Sequence, residues 1–170
     1  MVVMGRAQLA DADFCVKAKE GRLQEIVYCI GCDQGCYDGF TDPAAPFITC
    51  MRNPYLGKEA QDVLVPAQKP KRVLIAGGGI AGLEAACILK QRGHQPVVYE
   101  ASDELGGQFV TAGKAPRKME MKDAALSYGE KAKRLGILIH LNTPVDASLI
   151  TEGNWDEVIL AIGAEPIHLS

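Results

Sequence analysis

Four cysteines in one short stretch are the residues of this sequence best suited to redox or metal chemistry. Two, three and thirteen residues separate them in turn, and the set consists of Cys29, Cys32, Cys36 and Cys50. Glycines between them let the chain fold back, so that four thiolates can converge on one metal centre. A cubane iron–sulfur cluster and a tetrahedral zinc ion both accept four thiolates. Three close cysteines followed by a distant fourth favour a [4Fe–4S] cluster, with zinc as the alternative.

The two other cysteines lie outside this spacing. Cys87 follows Leu83 by four residues on the apolar face of a predicted helix, so we expect a small core residue there. Cys15 has no partner at ligand spacing. Neither cysteine is assigned a role.

A glycine motif further along the chain predicts a dinucleotide site. The run from Gly77 to Gly82 fits G-x-G-x-x-G between a predicted strand and a predicted helix. In this motif Gly77 permits the tight turn, Gly79 lets the backbone approach a pyrophosphate, and Gly82 allows close packing of helix on strand. Glu100 ends the next predicted strand eighteen residues after Gly82, where a carboxylate accepts hydrogen bonds from a ribose.

The dinucleotide could be NAD or FAD. Ala86 places a small residue where the FAD class has one, and Leu105-Gly106-Gly107-Gln108 follows the predicted ribose carboxylate as in many FAD proteins. An acid at position 100 argues against a 2′-phosphate there. The sequence therefore favours FAD.

These motifs lie on an alternation of predicted strands and helices. Apolar runs predict strands at residues 73–76, 96–100, 137–141 and 157–162. Helices are predicted at residues 79–92, ended by Gly93, and at residues 119–135. Strands that alternate with helices form a parallel sheet with right-handed crossovers, so the fold class is α/β with a Rossmann-like domain.

The chain before this domain is less regular. Residues 1–4 resemble the end of a strand, and residues 17–20 are helix-prone. Residues 26–68 are rich in Cys, Gly, Asp, Asn and Pro and show no sustained period. We expect a loop-rich four-cysteine segment to precede the parallel sheet.

Composition and charge exclude several classes of function. The 170 residues, 48% hydrophobic and 23% charged, suffice for one domain or one and a half. A formal net charge of −3 without a long basic run argues against nucleic acid as a partner. Four glycines and Glu84 interrupt the most apolar stretch, residues 73–89, so we expect no membrane span. The sequence starts without a secretory signal pattern, which predicts a cytoplasmic location and reduced thiols.

Together the motifs resemble a known family. The likeness rests on Cys-Ile-Gly-Cys-x-Gln-x-Cys from Cys29, Thr-Cys-Met-x-Asn-Pro from Thr49, the glycine motif with its strand, and Ala-Ile-Gly-Ala from Ala161. These stretches are similar to the iron–sulfur flavoenzymes of the 2,4-dienoyl-CoA reductase, trimethylamine dehydrogenase and NADH:flavin oxidoreductase group. Met-Gly-Arg-Ala from Met4 is similar to the end of the old-yellow-enzyme barrel that binds FMN. The resemblance covers essentially the whole chain.

The resemblance implies three parts. In this family an FMN-bearing TIM barrel is followed by a [4Fe–4S] loop and by an FAD- or ADP-binding domain with an inserted nicotinamide domain. Residues 1–25 would be the terminal piece of the barrel, residues 26–68 the cluster segment, and residues 69–170 an incomplete FAD/NAD(P)-binding domain. The four cysteines would ligate the cluster, and Arg6 would contact the FMN phosphate. The FAD or ADP contacts would be Gly77, Gly79, Ala81, Glu100, Gly107, Gln108, Val145 and Gly163.

The same resemblance implies electron transfer. Electrons would pass from NAD(P)H to FAD, through the cluster to FMN, and then to a substrate whose contacts and catalytic residues lie on the barrel. We interpret the chain as a fragment or split subunit, inactive alone, whose partner is an FMN-bearing barrel in the same parent chain or in another subunit. Ile162 departs from the family, which usually has threonine there. The alternatives are a non-catalytic ADP- or FAD-binding module with a structural zinc ion, and a docking subunit for a separate FMN barrel.

Overall fold

The computed structural model describes residues 1–61 and 64–165, and the chain divides into two compact units, Met1–Val63 and Leu64–Ser170. The last five residues of the predicted segment 69–170 therefore lie outside the described residues. None of the described helices is long and apolar enough to cross a membrane.

The first unit consists of short helices joined by loops. Its helices are α1 (Arg6–Ala10), α2 (Phe14–Lys19) and α3 (Tyr37–Thr41), and a 3₁₀ turn spans Leu23–Glu25. The predicted strand end at residues 1–4 is wrong, since this segment has no regular structure. A strand needs a neighbouring strand to satisfy its backbone groups, and the described part of this unit forms none.

A buried carboxylate joins three segments of the first unit. Asp11 is only 5% exposed. It accepts hydrogen bonds from Lys17 Nζ at 2.7 and 2.9 Å, from Asp13 N at 3.0 Å and from Val27 N at 2.8 Å. Burial raises the pKa of Asp11, but the bonds from Lys17 and Val27 outweigh burial and hold it below its ordinary value. Because Val27 lies two residues before Cys29, the carboxylate fixes the segment that enters the cysteine stretch.

The second unit is built on a four-stranded parallel sheet in the order β3-β2-β1-β4. The strands are β1 (Arg72–Ala76), β2 (Gln95–Tyr99), β3 (Leu138–His140) and β4 (Glu157–Leu160). They confirm the predicted α/β class and the four predicted strands, with ends that differ by one or two residues. The four apolar residues of β1 are at most 2% exposed, as expected for a parallel strand covered on both faces.

Four helices accompany the sheet. They are α4 (Ile80–Gln91), α5 (Gln108–Ala112), α6 (Met119–Arg134) and α7 (Ala147–Glu152). The first and third of these confirm the two predicted helices. Gly93, with φ of +92°, ends α4 as predicted. The short helices α5 and α7 were not predicted.

The core of the second unit packs α4 and α6 against the sheet. Leu83 and Cys87 on α4, Ile75 on β1 and Val98 on β2 are all 0% exposed and belong to one apolar cluster. Burial raises the pKa of the Cys87 thiol to about 11. Cys87 is therefore a core residue, as its spacing predicts.

Candidate functional site

A cavity of about 550 Å³ lies at the carboxyl ends of β1, β2 and β4. Ligands of open parallel sheets bind at this edge, and small-molecule pockets measure roughly 300–1,000 Å³. Gly82 of the glycine motif is buried beneath the cavity and does not line it. All the nucleotide contacts that the resemblance implies do line it: Gly77, Gly79, Ala81, Glu100, Gly107, Gln108, Val145 and Gly163.

The three motif glycines have different surroundings. Gly77 has φ of +109°, and a Cβ there would overlap the carbonyl oxygen of Ala161. A Cβ on Gly82 would overlap the carbonyl oxygen of Gly77, which would push α4 away from β1. A Cβ on Gly79 would meet nothing within 4 Å, and φ there is −73°. The space beside Gly79 is thus left open, whereas the spaces beside Gly77 and Gly82 are filled by backbone.

The predicted ribose carboxylate is tied to the glycine motif. Glu100 Oε2 accepts a hydrogen bond from Gly78 N at 2.6 Å, and Oε1 accepts from Ser102 N and Oγ, each at 2.8 Å. Burial raises the pKa of Glu100, but the bonds from the amides of Ser102 and Gly78 outweigh burial and lower it. An ionised carboxylate is an acceptor only, which suits it to hydroxyl donors.

A second glycine loop faces the first. Gly106 N donates to Gly78 O at 2.8 Å, and Gly106 and Gly107 have φ of +111° and +55°. A Cβ on Gly107 would contact the backbone of the first loop at 3.2 Å. Helix α5 begins at Gln108, whose Nε2 donates to Ala164 O at 2.6 Å. The glycines therefore allow two backbone loops to form one wall of the cavity.

The aromatic side of this cavity was not predicted from the sequence. Tyr99 lines the cavity and stacks on His140, with ring centroids 4.7 Å apart and an interplanar angle of 16°. Trp155 meets the Tyr99 ring edge-on at 6.1 Å and carries the Arg72 guanidinium 4.1 Å from its centroid. The available signal was the place of Tyr99 at the end of a predicted strand, next to Glu100.

In the first unit, the four cysteines line one narrow cavity. All four residues are partly buried. In residues 1–61 and 64–165, no group of three or more His, Cys, Asp or Glu side chains is arranged to hold a metal ion. The structure thus brings the predicted ligands to a shared cavity without forming a closed coordination shell. The other lining residues are Arg6, Leu9, Ile30, Asp33, Gln34 and Arg52.

The backbone between the first three cysteines turns repeatedly. Gly31, Asp33 and Gly35 have φ of +62°, +58° and +82°. A positive φ at every second residue bends the chain. Glycine adopts a positive φ at no steric cost. Gly31 N also donates to Cys29 Sγ at 3.4 Å. The loop thus directs the backbone amide of Gly31 at a cysteine sulfur.

A separate contact brings the fourth cysteine to the loop. Thr49 N donates to Gly35 O at 2.9 Å, and a Cβ on Gly35 would overlap Thr49. Asn53 N donates to Cys50 O at 3.2 Å, and Asn53 Nδ2 donates to Leu9 O at 2.9 Å. Close approach at Gly35 and anchoring at Asn53 therefore place Cys50 beside the first three cysteines.

Two arginines line the cysteine cavity. Arg6, the predicted phosphate contact, forms an ion pair with Asp33 at 2.5 Å, and both side chains are about half exposed. The hydrogen bond and charge of Asp33 raise the pKa of Arg6, with a smaller contribution from Cys29. Arg52 is only 8% exposed, and its Nε donates to Tyr28 O at 3.3 Å. We missed Arg52 because it occupies the variable position of Thr-Cys-Met-x-Asn-Pro; a charge within an otherwise uncharged turn was the available signal.

Known proteins match one segment of this chain and also nearly its whole length. The model of the NAD(P)-binding Rossmann-like domain family matches residues 75–129. Bilirubin reductase from Mediterraneibacter gnavus is 35% identical over 167 residues, which are 98% of this chain and 26% of that protein. Cinnamate reductase from Clostridium sporogenes is 36% identical over 170 residues, which are 100% of this chain and 25% of that protein.

A solved structure matches over the same length. A 2-naphthoyl-CoA reductase in complex with 2-naphthoyl-CoA superposes with a TM-score of 0.92 and 33% sequence identity, over 98% of this chain and 25% of that one. The chain thus spans about a quarter of the length of the relatives it matches. Over the part that it spans, these relatives and this structure support the family of iron–sulfur flavoenzymes that the sequence resembles.

Proposed function

We propose that this chain is the electron-transfer portion of an NAD(P)H-dependent iron–sulfur flavoprotein oxidoreductase of the 2,4-dienoyl-CoA reductase type, passing electrons between FAD and FMN through a [4Fe–4S] cluster. The observation that carries the proposal is the convergence of four cysteines on one cavity, in a chain that also has a glycine-walled pocket at a sheet edge. Relatives named as reductases support an oxidoreductase. A bound cluster supplies one-electron transfer, and this chain's residues hold it in place.

The residues of the 550 Å³ cavity suit the adenosine and pyrophosphate part of FAD, or ADP. The open space beside Gly79 lies at the start of α4, where free backbone N–H groups and the helix dipole favour an anion. The ionised Glu100 would accept hydrogen bonds from ribose hydroxyls and repel a 2′-phosphate. Gln108, fixed to Ala164, would hold the second glycine loop against the ligand.

The cysteine cavity offers the donor set of a [4Fe–4S] cluster. Cys29, Cys32, Cys36 and Cys50 would be the ligands, and the turns at Gly31 and Gly35 supply the loop shape that they need. The amide of Gly31 already donates to Cys29 Sγ. An N–H group aimed at a ligand sulfur stabilises its negative charge and so favours the reduced cluster.

We also propose that the partner of the first unit is an FMN-bearing barrel, in the same parent chain or in another subunit. Several large apolar side chains of this unit are exposed, including Val2, Val3, Tyr37 and Phe40, at 84%, 89%, 61% and 80%. Exposed apolar surface of this kind marks interaction sites. The exposed Arg6 guanidinium, five donors on a planar group, would then contact the FMN phosphate while keeping Asp33.

The cluster is tested by metal analysis of the anaerobically purified chain. We expect about four iron and four acid-labile sulfide per chain and broad absorption near ~400 nm. Cys32→Ser should lose most of this iron, whereas Cys15→Ser, which changes an exposed cysteine outside the quartet, should keep it. One zinc per chain and no colour would support the structural-zinc module instead.

The nucleotide site is tested by calorimetric titration with FAD, ADP and NAD. We expect FAD and ADP to bind and to compete with each other, because both carry the adenosine and pyrophosphate groups that the cavity suits. Tighter binding of NAD than of FAD would argue against the flavin assignment. A chain with iron but no affinity for any of the three would refute the electron path through this unit.

A further inference from the structure

Trp155 has no role in the function proposed above, although the fold holds it in place from two sides. It is the only tryptophan of the chain. The Arg72 guanidinium lies 4.1 Å from its ring centroid, and Arg72 Nη1 also donates to Gly153 O at 2.7 Å. A Cβ on Gly153 would overlap the indole, so the close packing of Trp155 requires glycine there. The indole therefore has a defined place and orientation.

This indole contacts two elements that line the cavity of about 550 Å³, although Trp155 itself does not line it. Its Nε1 donates to Leu149 O in α7 at 3.0 Å, and the next residue of α7, Ile150, lines the cavity. The indole also meets the ring of Tyr99, which lines the cavity too, at 6.1 Å. His140 stacks on the same tyrosine ring at 4.7 Å. Trp155 thus joins helix α7 to the aromatic side of the cavity.

The order of the strands places this aromatic side beyond the predicted ribose carboxylate. In the proposed site the pyrophosphate lies at the glycine motif after β1, and the ribose lies at Glu100 after β2. Strand β3 is the next neighbour of β2 in the sheet. The segment after β3 is held beside Glu100, because Thr143 N donates to Glu100 O at 2.8 Å. The remaining part of a nucleotide, its base, therefore falls at the ends of β2 and β3, where Tyr99 lies.

The side chains at these two strand ends suit an uncharged planar ring. The cavity is lined there by Tyr99, Pro144, Val145 and Ile150, none of which carries a charge. Among the described residues, Glu100 is the only charged residue that lines this cavity. A nucleotide base packs well on aromatic and aliphatic surface, since every base has a π face that an aromatic ring can contact. This wall therefore favours a base over a further anionic group.

We propose that Trp155 positions the Tyr99 ring and helix α7 as the wall that packs against the base of a bound adenine nucleotide. Tyr99 touches the base, whereas Trp155 is a positioning residue that acts only through Tyr99 and α7. Because Trp155 and His140 already order the Tyr99 ring, little side-chain freedom is lost when the ligand binds. The inference rests on the proposed nucleotide site and adds the residues that recognise the base.

The first test compares ADP with inorganic pyrophosphate, which has no base, by calorimetry on the full chain. Pyrophosphate is measured by its displacement of ADP. We expect Tyr99→Ala to weaken ADP binding about tenfold, because contact between a base and an aromatic ring is worth that much in other proteins. Pyrophosphate binding should not change in this variant. Tyr99→Phe keeps the ring and should bind ADP as the wild-type chain does.

Two further variants displace the wall without a change at the ligand itself. Trp155→Leu removes the ring and the donor to Leu149 O, and Gly153→Ala introduces the Cβ that overlaps the indole. We expect both variants to weaken ADP binding and to leave pyrophosphate binding unchanged. The control is Tyr28→Ala, which removes an exposed ring from the other unit and should change neither affinity. Where circular dichroism shows that Trp155→Leu is unfolded, Gly153→Ala takes its place.

The fluorescence of Trp155 gives an independent measurement, because no other tryptophan contributes to the emission. A base that packs against Tyr99 changes the surroundings of the indole, whereas pyrophosphate at the glycine loops does not reach them. We therefore expect ADP to change the emission of the wild-type chain and pyrophosphate to leave it unchanged. Equal changes with the two ligands would contradict the proposal.

The remaining outcomes separate this inference from the proposed function. Unchanged ADP affinity in Tyr99→Ala, or in both variants that displace the indole, would overturn the role of the wall. An equal loss of ADP and pyrophosphate binding would also overturn it, because the residues would then support the fold of the unit alone. A wild-type chain that binds neither ligand contradicts the nucleotide site itself and with it the base wall.

Discussion

Two alanine substitutions in one glycine motif should have opposite effects on stability. A Cβ on Gly79 meets nothing within 4 Å, and φ of −73° suits alanine. Gly79→Ala should therefore raise the free energy of unfolding by about 0.4–1 kcal/mol, because alanine restricts the unfolded chain. A Cβ on Gly82 overlaps the carbonyl oxygen of Gly77, so Gly82→Ala should lower it by about 1–3 kcal/mol, as overpacking does.

Ligand binding should separate the same two variants in another way. The methyl group at position 79 would occupy the open space at the start of α4 that we assign to a pyrophosphate. If the ligand loses one charge-assisted hydrogen bond there, about 1.5–3 kcal/mol is lost, which is at least about tenfold in the dissociation constant. Gly79→Ala should thus be the more stable protein and the weaker binder of ADP.

Urea denaturation and ADP calorimetry on the wild-type chain and both variants test this prediction. Circular dichroism should show the same helix content in Gly79→Ala and wild type. An unstable Gly79→Ala protein would contradict the open space beside Gly79. A stable Gly79→Ala protein with unchanged ADP affinity would show that no phosphate binds at this turn, and our assignment of the cavity would then be wrong.

Three further predictions concern titratable side chains. Asp11→Asn should lower the free energy of unfolding by about 3 kcal/mol at neutral pH. Because the pKa of Asp11 is lowered, the stability that its carboxylate contributes is lost as pH falls below the ordinary value of 3.8. The acid denaturation curves of variant and wild type should therefore converge there. Glu100→Gln should weaken ADP binding about tenfold or more in calorimetry, whereas Glu104→Gln, an exposed neighbour, should not. With a pKa of about 11 and no exposure, Cys87 should resist iodoacetamide in the folded chain while exposed Cys15 is alkylated; mass spectrometry showing modified Cys87 would contradict its burial.

The long elements could be predicted from sequence because their patterns are dictated by burial. β1 is a run of apolar residues covered on both faces, and α4 carries its glycine start and its glycine end in the sequence. The short helices gave weaker signals. Helix α7 has an N-cap signal in its sequence, because aspartate is a preferred residue just before a helix. Asp146 Oδ1 indeed accepts a hydrogen bond from Leu149 N at 2.8 Å. α5 has no side-chain cap, so nothing local marked it.

The residues of the candidate site also differ in whether a local sequence pattern could predict them. Spacing selected the cysteines and the motif glycines because their chemistry depends on residue type and sequence separation. Contacts between distant segments could not be found in this way: the hydrogen bond from Gly78 N to Glu100 crosses from one strand end to the next, and the packing of Tyr99 on His140 depends on the pairing of β2 with β3. Arg52 was missed because its burial depends on tertiary packing.

The close contact between Gly35 and Thr49 affects how far the segment between the third and fourth cysteines can vary in length. It fixes the fourth cysteine from the opposite side of the loop, so the geometry of the quartet does not depend on how many residues connect the two halves. Insertions between α3 and Phe47 should leave the ligand arrangement intact, since longer closed loops add little entropy. A bulky residue at position 35 should disperse the same four sulfurs without altering one of them.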